Sequence, residues 1–215
     1  MRLHIDGFDN GGVIPERFAF GVMDPATHVR LGANLNPALR WSDITERATS
    51  LVLICVDSDV PTVGDDVNQE DREIPADLPR TRFYHWVMVD LAPTDGGVDE
   101  GACSDGVTAR GKREPAGPTG SRQGSNDYTG WFASDADMAG DYRGYDGPCP
   151  PWNDPLVHHY HFELYALDLP RCPVDGAFDG RAVMKAIEGH VLAQVAIMGQ
   201  YSLNPAVDID QSSSE

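Results

Sequence analysis

Lysine is nearly missing from this chain of 215 residues: only Lys112 and Lys185 occur, against 14 arginines and 25 aspartates. The 16 basic residues face 34 acidic ones, a formal charge of −18 at pH 7, so a phosphate backbone or an anionic membrane would be repelled over most of the surface. Nucleic acid is thereby excluded as the main partner. An Asp-rich, Lys-poor surface fits a host with that codon bias or adaptation to high salt, and composition does not separate the two. No apolar run approaches the ~18 residues that a membrane helix needs, so membrane insertion is not expected. Met1 to Asp6 has neither the basic head nor the apolar stretch of a secretory signal, and a cytoplasmic location is the simplest expectation. The four cysteines, Cys55, Cys103, Cys149 and Cys172, form no C-x-x-C pair, which leaves no zinc or redox motif and no cofactor to expect.

What is present is a rhythm of short apolar segments between Gly, Pro, Asn and Asp clusters, the pattern of a mainly β, mostly antiparallel protein with few helices. Leu51 to Asp57 reads as a central strand buried on both faces, followed by strands at Phe83 to Leu91, Tyr160 to Leu167 and about Gln194 to Tyr201. One helix is predicted over Phe178 to Val191, with Val183, Ile187 and Val191 at four-residue steps and Asp179 as its cap. Two long connections interrupt the rhythm: the acidic Pro61 to Arg82, and Ala92 to Gly147 with twelve glycines among aromatics such as Tyr128, Trp131, Phe132, Tyr142 and Tyr145. Such aromatics suit a lid or shoulder packed on the sheet better than a polar linker. Nothing divides the chain, so residues 1–215 are expected to form one domain with a tail fraying from about 206.

Several motifs fail on inspection. Gly106 to Lys112 has phosphate-loop spacing, but Arg113 replaces the hydroxyl that would bind magnesium and Pro115 and Pro118 deny the helix. Asp135, Asp137, Gly140 and Asp146 match calcium-loop positions, yet Ala139 replaces a ligand and Gly147-Pro148 denies the exit helix. No G-x-S-x-G elbow or H-E-x-x-H helix occurs. On a strand His159 and His161 share one face while His158 points to the other, so three crowded histidines do not make one ligand set.

One constellation survives. Asp57-Ser58-Asp59-Val60-Pro61 closes the most apolar strand, His85-Trp86 lies in the next, and Gly147-Pro148-Cys149-Pro150-Pro151 leads to His158-His159-Tyr160. Imidazoles, carboxylates and a rigid proline wall are parts for a small polar pocket. The physical logic is anion capture: His85 and His158 donate N–H bonds, Gly147 lets backbone approach, and the prolines fix the wall.

In this order, D-x-D-x-P, H-W, G-P-C-P-P and H-x-Y resemble the phosphatidylethanolamine-binding protein family, in its prokaryotic Raf-kinase-inhibitor-like branch. Asn36 to Trp41 upstream, and Gly189 to Ala193 with Gly199-Gln200-Tyr201 downstream, extend the resemblance over about residues 12–203. The resemblance implies a large antiparallel sheet with a second, smaller sheet packed on it in Greek-key fashion. It also implies an edge pocket for phosphate-like anions or phosphorylated head groups, and loosely a homodimer. Carried over residue by residue, the implied ligand-binding set is Asp57, Asp59, Pro61, His85, Trp86, Gly147, Pro148, Cys149, Pro150, Pro151, His158 and Tyr160. His159 stands where many members have arginine, and the Pro61 to Phe83 link is longer than the family's.

Three functions follow as expectations. The first is a binding module for a small anionic or phosphorylated ligand. The second is a hydrolase using Asp57 and His85 as an acid–base pair, although no nucleophile motif is visible. The third is an interaction or inhibitor module acting through the 92–147 loop. A two-histidine, one-carboxylate metal set from His85, His158 and an aspartate is a minor fourth.

Overall fold

The computed structural model describes residues 1–209; the tail expected to fray lies, from residue 210 onward, outside them. Five strands form a large sheet in the order β10 (Val191–Tyr201), β9 (His158–Leu167), β5 (Ser50–Pro61), β6 (Arg80–Leu91) and β8 (Arg122–Gln123), every pair antiparallel. Because β9 returns beside β5 after the chain has run through β6 and β8, the order β9-β5-β6-β8 is that of a Greek key. A smaller sheet, β4 (Leu39–Ser42) between β1 (Arg2–Ile5) and β7 (Gly96–Val98), packs on it, and β2 (Gly21–Asp24) with β3 (His28–Leu31) forms a separate hairpin.

Alternation along the central strands sorts side chains into two cores. Leu51, Leu53 and Cys55 of β5 and Tyr160, Phe162, Leu164 and Ala166 of β9 point into the space between the sheets, where Ile5, Leu39 and Trp41 meet them. Val52, Ile54 and Val56, with Tyr165 and Leu167, point the other way onto Val183 and Ile187. Burial on both faces explains why β5 reads as an unbroken apolar run.

The helix predicted from 178 to 191 is shorter: α2 spans Gly180–Ala186, with the Asp179 carboxylate accepting from the Ala182 N–H at 2.8 Å. Gly189 takes φ +81°, a left-handed conformation that stops the helix, and Val191 already pairs with Leu167 as the first residue of β10. Among the described residues no helix is long and apolar enough to cross a membrane.

Both long connections are folded down. Asn153 accepts from the Asn68 N–H (2.9 Å) and its amide donates to the carbonyls of Asp66 (2.8 Å) and Arg72 (3.0 Å), anchoring the acidic link between β5 and β6. The 92–147 segment contributes β7, β8 and the short α1 (Tyr128–Trp131), and buries Tyr128, Tyr142 and Tyr145.

Candidate functional site

At one end of the large sheet Asp57 pairs across to Phe83 on β6 and to Tyr160 on β9, so three strands set their side chains side by side on the face turned to the inner core. His85 reaches the same face by an irregularity. Cys55 lies opposite Trp86 and Val56 opposite Tyr84, so His85 is an extra residue in β6, a β-bulge. Strict alternation would have turned His85 away from the side that Trp86 faces. Instead both face it, and the His85 ring meets Tyr160 edge-on, centroids 5.1 Å apart.

Behind this face runs a buried chain of alternating charge. Asp57 Oδ2 lies 2.7 Å from His158 Nδ1, His158 Nε2 lies 3.1 Å from Asp154 Oδ2, and Arg80 holds Asp154 through both terminal nitrogens, one at 3.2 Å. Burial alone would push the His158 pKa down, but the two carboxylates outweigh it and hold it at about 9. Burial likewise raises the Asp57 and Asp154 carboxyls, and the His158 imidazolium, joined at Asp57 by the Asp59 N–H and at Asp154 by Arg80, more than reverses this, leaving both below the usual range.

His85 is the opposite case. Burial pushes its pKa down, and the nearby Asp57 charge only partly offsets this. Its Nδ1 donates to the Asp146 carbonyl at 2.8 Å, which leaves the Nε2 lone pair as the free position of the neutral ring. Asp146 is itself clamped: its carboxylate accepts from Lys112 Nζ (2.6 Å), Asn34 Nδ2 (2.8 Å) and Asn126 Nδ2 (2.8 Å). The phosphate-loop-like and calcium-loop-like stretches thus end on each other, Lys112 against Asp146, in a structural ion pair. The buried Tyr160 hydroxyl has no partner in hydrogen-bond geometry, although burial and the facing Asp57 carboxylate hold its pKa well above the usual value.

These groups floor a cavity of about 340 Å³. Of the sequence-predicted residues, Asp57, Pro61, His85, Cys149, Pro150, Pro151, His158 and Tyr160 line it; Asp59, Trp86, Gly147 and Pro148 do not. Trp86 is fully buried against Tyr145 and donates Nε1–H to Gln123 at 2.7 Å. Gly147 serves a close crossing of the protein's own chain, because a Cβ there would stand 1.9 Å from the Phe18 carbonyl oxygen. The Pro148 carbonyl is taken by the N–H groups of Phe20 (2.9 Å) and Gly21 (3.0 Å). Asp59 accepts from the His159 N–H (2.9 Å) and, through its own N–H, braces Asp57 (2.8 Å).

His158 lines the cavity without a free donor, since both its nitrogens are engaged, and His85 offers only the Nε2 lone pair, so the anticipated pair of donating histidines reduces to one open acceptor nitrogen. The same occupancy removes His158 as a metal ligand, and among the described residues no group of three or more His, Cys, Asp or Glu is placed to hold a metal ion. Asp57 bonds to His158, so the supposed acid–base pair with His85 has no direct hydrogen bond. Burial pushes the Cys149 thiol up to about 12, far from a nucleophile's range.

Sequence reasoning missed Asp154 and Arg80, whose roles depend on long-range contacts, and the aromatic wall of Phe20, Phe83, Tyr128, Trp131 and Phe132. For Tyr128, Trp131 and Phe132 the signal was the aromatic content of the 92–147 segment, read as a lid or shoulder on the sheet; Phe20 and Phe83 carried none.

The sequence profile of the phosphatidylethanolamine-binding protein family matches residues 4–202. The chain belongs to this family. Among relatives, a UPF0098 protein of Methanothermobacter thermautotrophicus is 31% identical over 94% of this chain and 98% of its own length. The UPF0098 protein YbhB of Escherichia coli is 28% identical over 94% and 100%. Two solved structures share the fold: E. coli YbcL, described as a member of the mammalian phosphatidylethanolamine-binding protein family, at TM-score 0.66 and 24% identity over 94% of this chain and 97% of that one, and the Chlamydia trachomatis homologue CT736 at TM-score 0.61 and 26% identity over 93% and 95%. The expected family architecture, a large antiparallel sheet with a smaller one packed on it, is therefore the observed one, and a ligand-binding role of the family's kind follows from membership.

Proposed function

We propose that the cavity beside Asp57, His85 and Tyr160 binds a small ligand through a phosphate or similar acidic head. One observation carries the reading: at the floor, the Tyr160 hydroxyl is buried without a partner while the His85 Nε2 stands free beside it. An unpaired buried hydroxyl costs about 1–3 kcal/mol, which an incoming oxygen acceptor would recover. In the bound state Tyr160 O–H donates to one ligand oxygen. A single proton lies between His85 Nε2 and a second oxygen, held by the ring or by the phosphoryl group. The charge chain behind Asp57 keeps the carboxylate neutralised, so it does not repel the head.

Because the shared proton must be present, affinity falls as pH rises, by at most about tenfold per pH unit. The test is a calorimetric titration with inorganic phosphate and phosphorylethanolamine at pH 6 and pH 8, for the wild type, His85→Ala and Tyr160→Phe. Saturable binding that weakens at pH 8 and in both variants is expected. An affinity indifferent to pH and to His85→Ala would sink the reading.

A further inference from the structure

The polar floor is only one end of the cavity. Away from it the lining is mostly carbon, with Asn68 as a polar exception: prolines and valines, and rings in an ordered array. Phe20 stacks on Tyr128 with centroids 4.5 Å apart at 18°, and Tyr128 stacks on Phe132 at 5.6 Å and 13°. Phe83 and His85 meet Tyr128 edge-on, at 79° and 80°. Near the rim Trp131 is 50% exposed and lines the cavity, yet among the described residues its ring stacks on no other. No lysine or arginine lines the space.

These facts constrain what fills it. A bare phosphate would leave most of 340 Å³ to water against apolar walls. A sugar phosphate or polyol would bring hydroxyls to a wall with few polar partners, and unpaired polar groups lower affinity. A flat, apolar body meets neither objection, and the exposed Trp131 face is an open stacking position for it.

We propose that the ligand is an aryl phosphate, that is, a phosphomonoester of an aromatic alcohol, with its ring held between the Tyr128–Phe132 wall and Trp131. The proposal rests on the head-group reading above and adds to it the identity of the body. Trp131 is then a specificity residue: it reads the ring and leaves the phosphoryl group to Tyr160 and His85.

The test compares phenyl phosphate, n-butyl phosphate and inorganic phosphate by calorimetry on the wild type, Trp131→Ala and Trp131→Phe. Trp131 is half exposed and outside both cores, so these variants fold, which circular dichroism and thermal melting verify. The expected result is that phenyl phosphate binds about threefold to tenfold tighter than butyl phosphate, as one aromatic contact allows, and that both bind tighter than inorganic phosphate. Trp131→Ala should abolish the phenyl preference while leaving the inorganic phosphate affinity unchanged, and Trp131→Phe should retain most of it. Equal affinity for phenyl and butyl phosphate, or an equal loss for all three ligands in Trp131→Ala, would overturn the aryl assignment and leave the head-group reading standing. No binding of any of the three would overturn both.

Discussion

Two buried histidines flank β5 at the same end of the sheet, and they are held in opposite states. On the β9 side His158 lies between two carboxylates, with a pKa of about 9 and no free nitrogen. On the β6 side His85 rests on a backbone carbonyl, with its pKa lowered and one nitrogen open to the cavity. Both rings are buried, so burial does not separate them. The partner does: a carboxylate fixes charge and consumes donors, whereas a carbonyl orients the ring and leaves it uncharged. The first histidine is structural ballast for Asp57, and the second is available for chemistry.

The strongest way to break this contrast is to delete each ring in turn. His158→Ala leaves Asp57 and Asp154 buried with Arg80 as their sole strong countercharge, and should cost about 3–5 kcal/mol in urea unfolding. His85→Ala loses one carbonyl bond and some packing, about 1–3 kcal/mol. Equal losses would mean that the two histidines are not differently employed.

The pH dependence of stability sharpens the contrast further. With its folded pKa raised from 6.5 to about 9, His158 contributes stability that is fully present below pH 6.5 and is lost as pH climbs through 9, on the order of 3 kcal/mol in total. His85 works the other way, its lowered folded pKa removing stability as pH falls below 6.5. Unfolding free energies measured between pH 5.5 and 9.5 should therefore decline on both sides of a maximum near neutrality. His158→Gln should flatten the alkaline limb and His85→Gln should soften the acidic one. An alkaline limb that survives His158→Gln would refute the assignment of its charge.

The smallest expected effect concerns the floor between them. Tyr160→Phe deletes a hydroxyl that has no partner, so the melting temperature should hold or rise slightly, by less than about 1 kcal/mol of stability. Phosphate affinity should nevertheless fall. A clear loss of stability instead would show that the hydroxyl is satisfied in solution.

The long strands were legible because burial on both faces writes itself as a continuous apolar run, as in Leu51 to Val56, and Pro61, Asp57 and Tyr160 were legible as strand-end residues. The short strands β1 to β4 carry too few residues to show a period. Trp86 lies outside the cavity lining while its neighbour His85 reaches it through a bulge, and a bulge depends on the partner strand's register, which no local pattern encodes. Gly147 and Pro148 drew attention as flexible and rigid elements, but what demanded them was a close approach of the Phe18 to Gly21 backbone, more than a hundred residues away in sequence. Asp154 and Arg80 look like ordinary surface acids and bases until β9 and the β5–β6 connection bring them together.

The bulge at His85 also bears on how such a cavity arises in evolution. Its decisive imidazole is aimed by the number of residues between Tyr84 and Trp86 as much as by their identities. Removing one codon there would restore regular pairing with β5 while every other letter of the strand stayed the same, and the sheet would close over a pocket with no histidine at its floor. A deletion there removes the ring and the bulge together, whereas the substitution His85→Ala removes the ring and leaves the bulge in place.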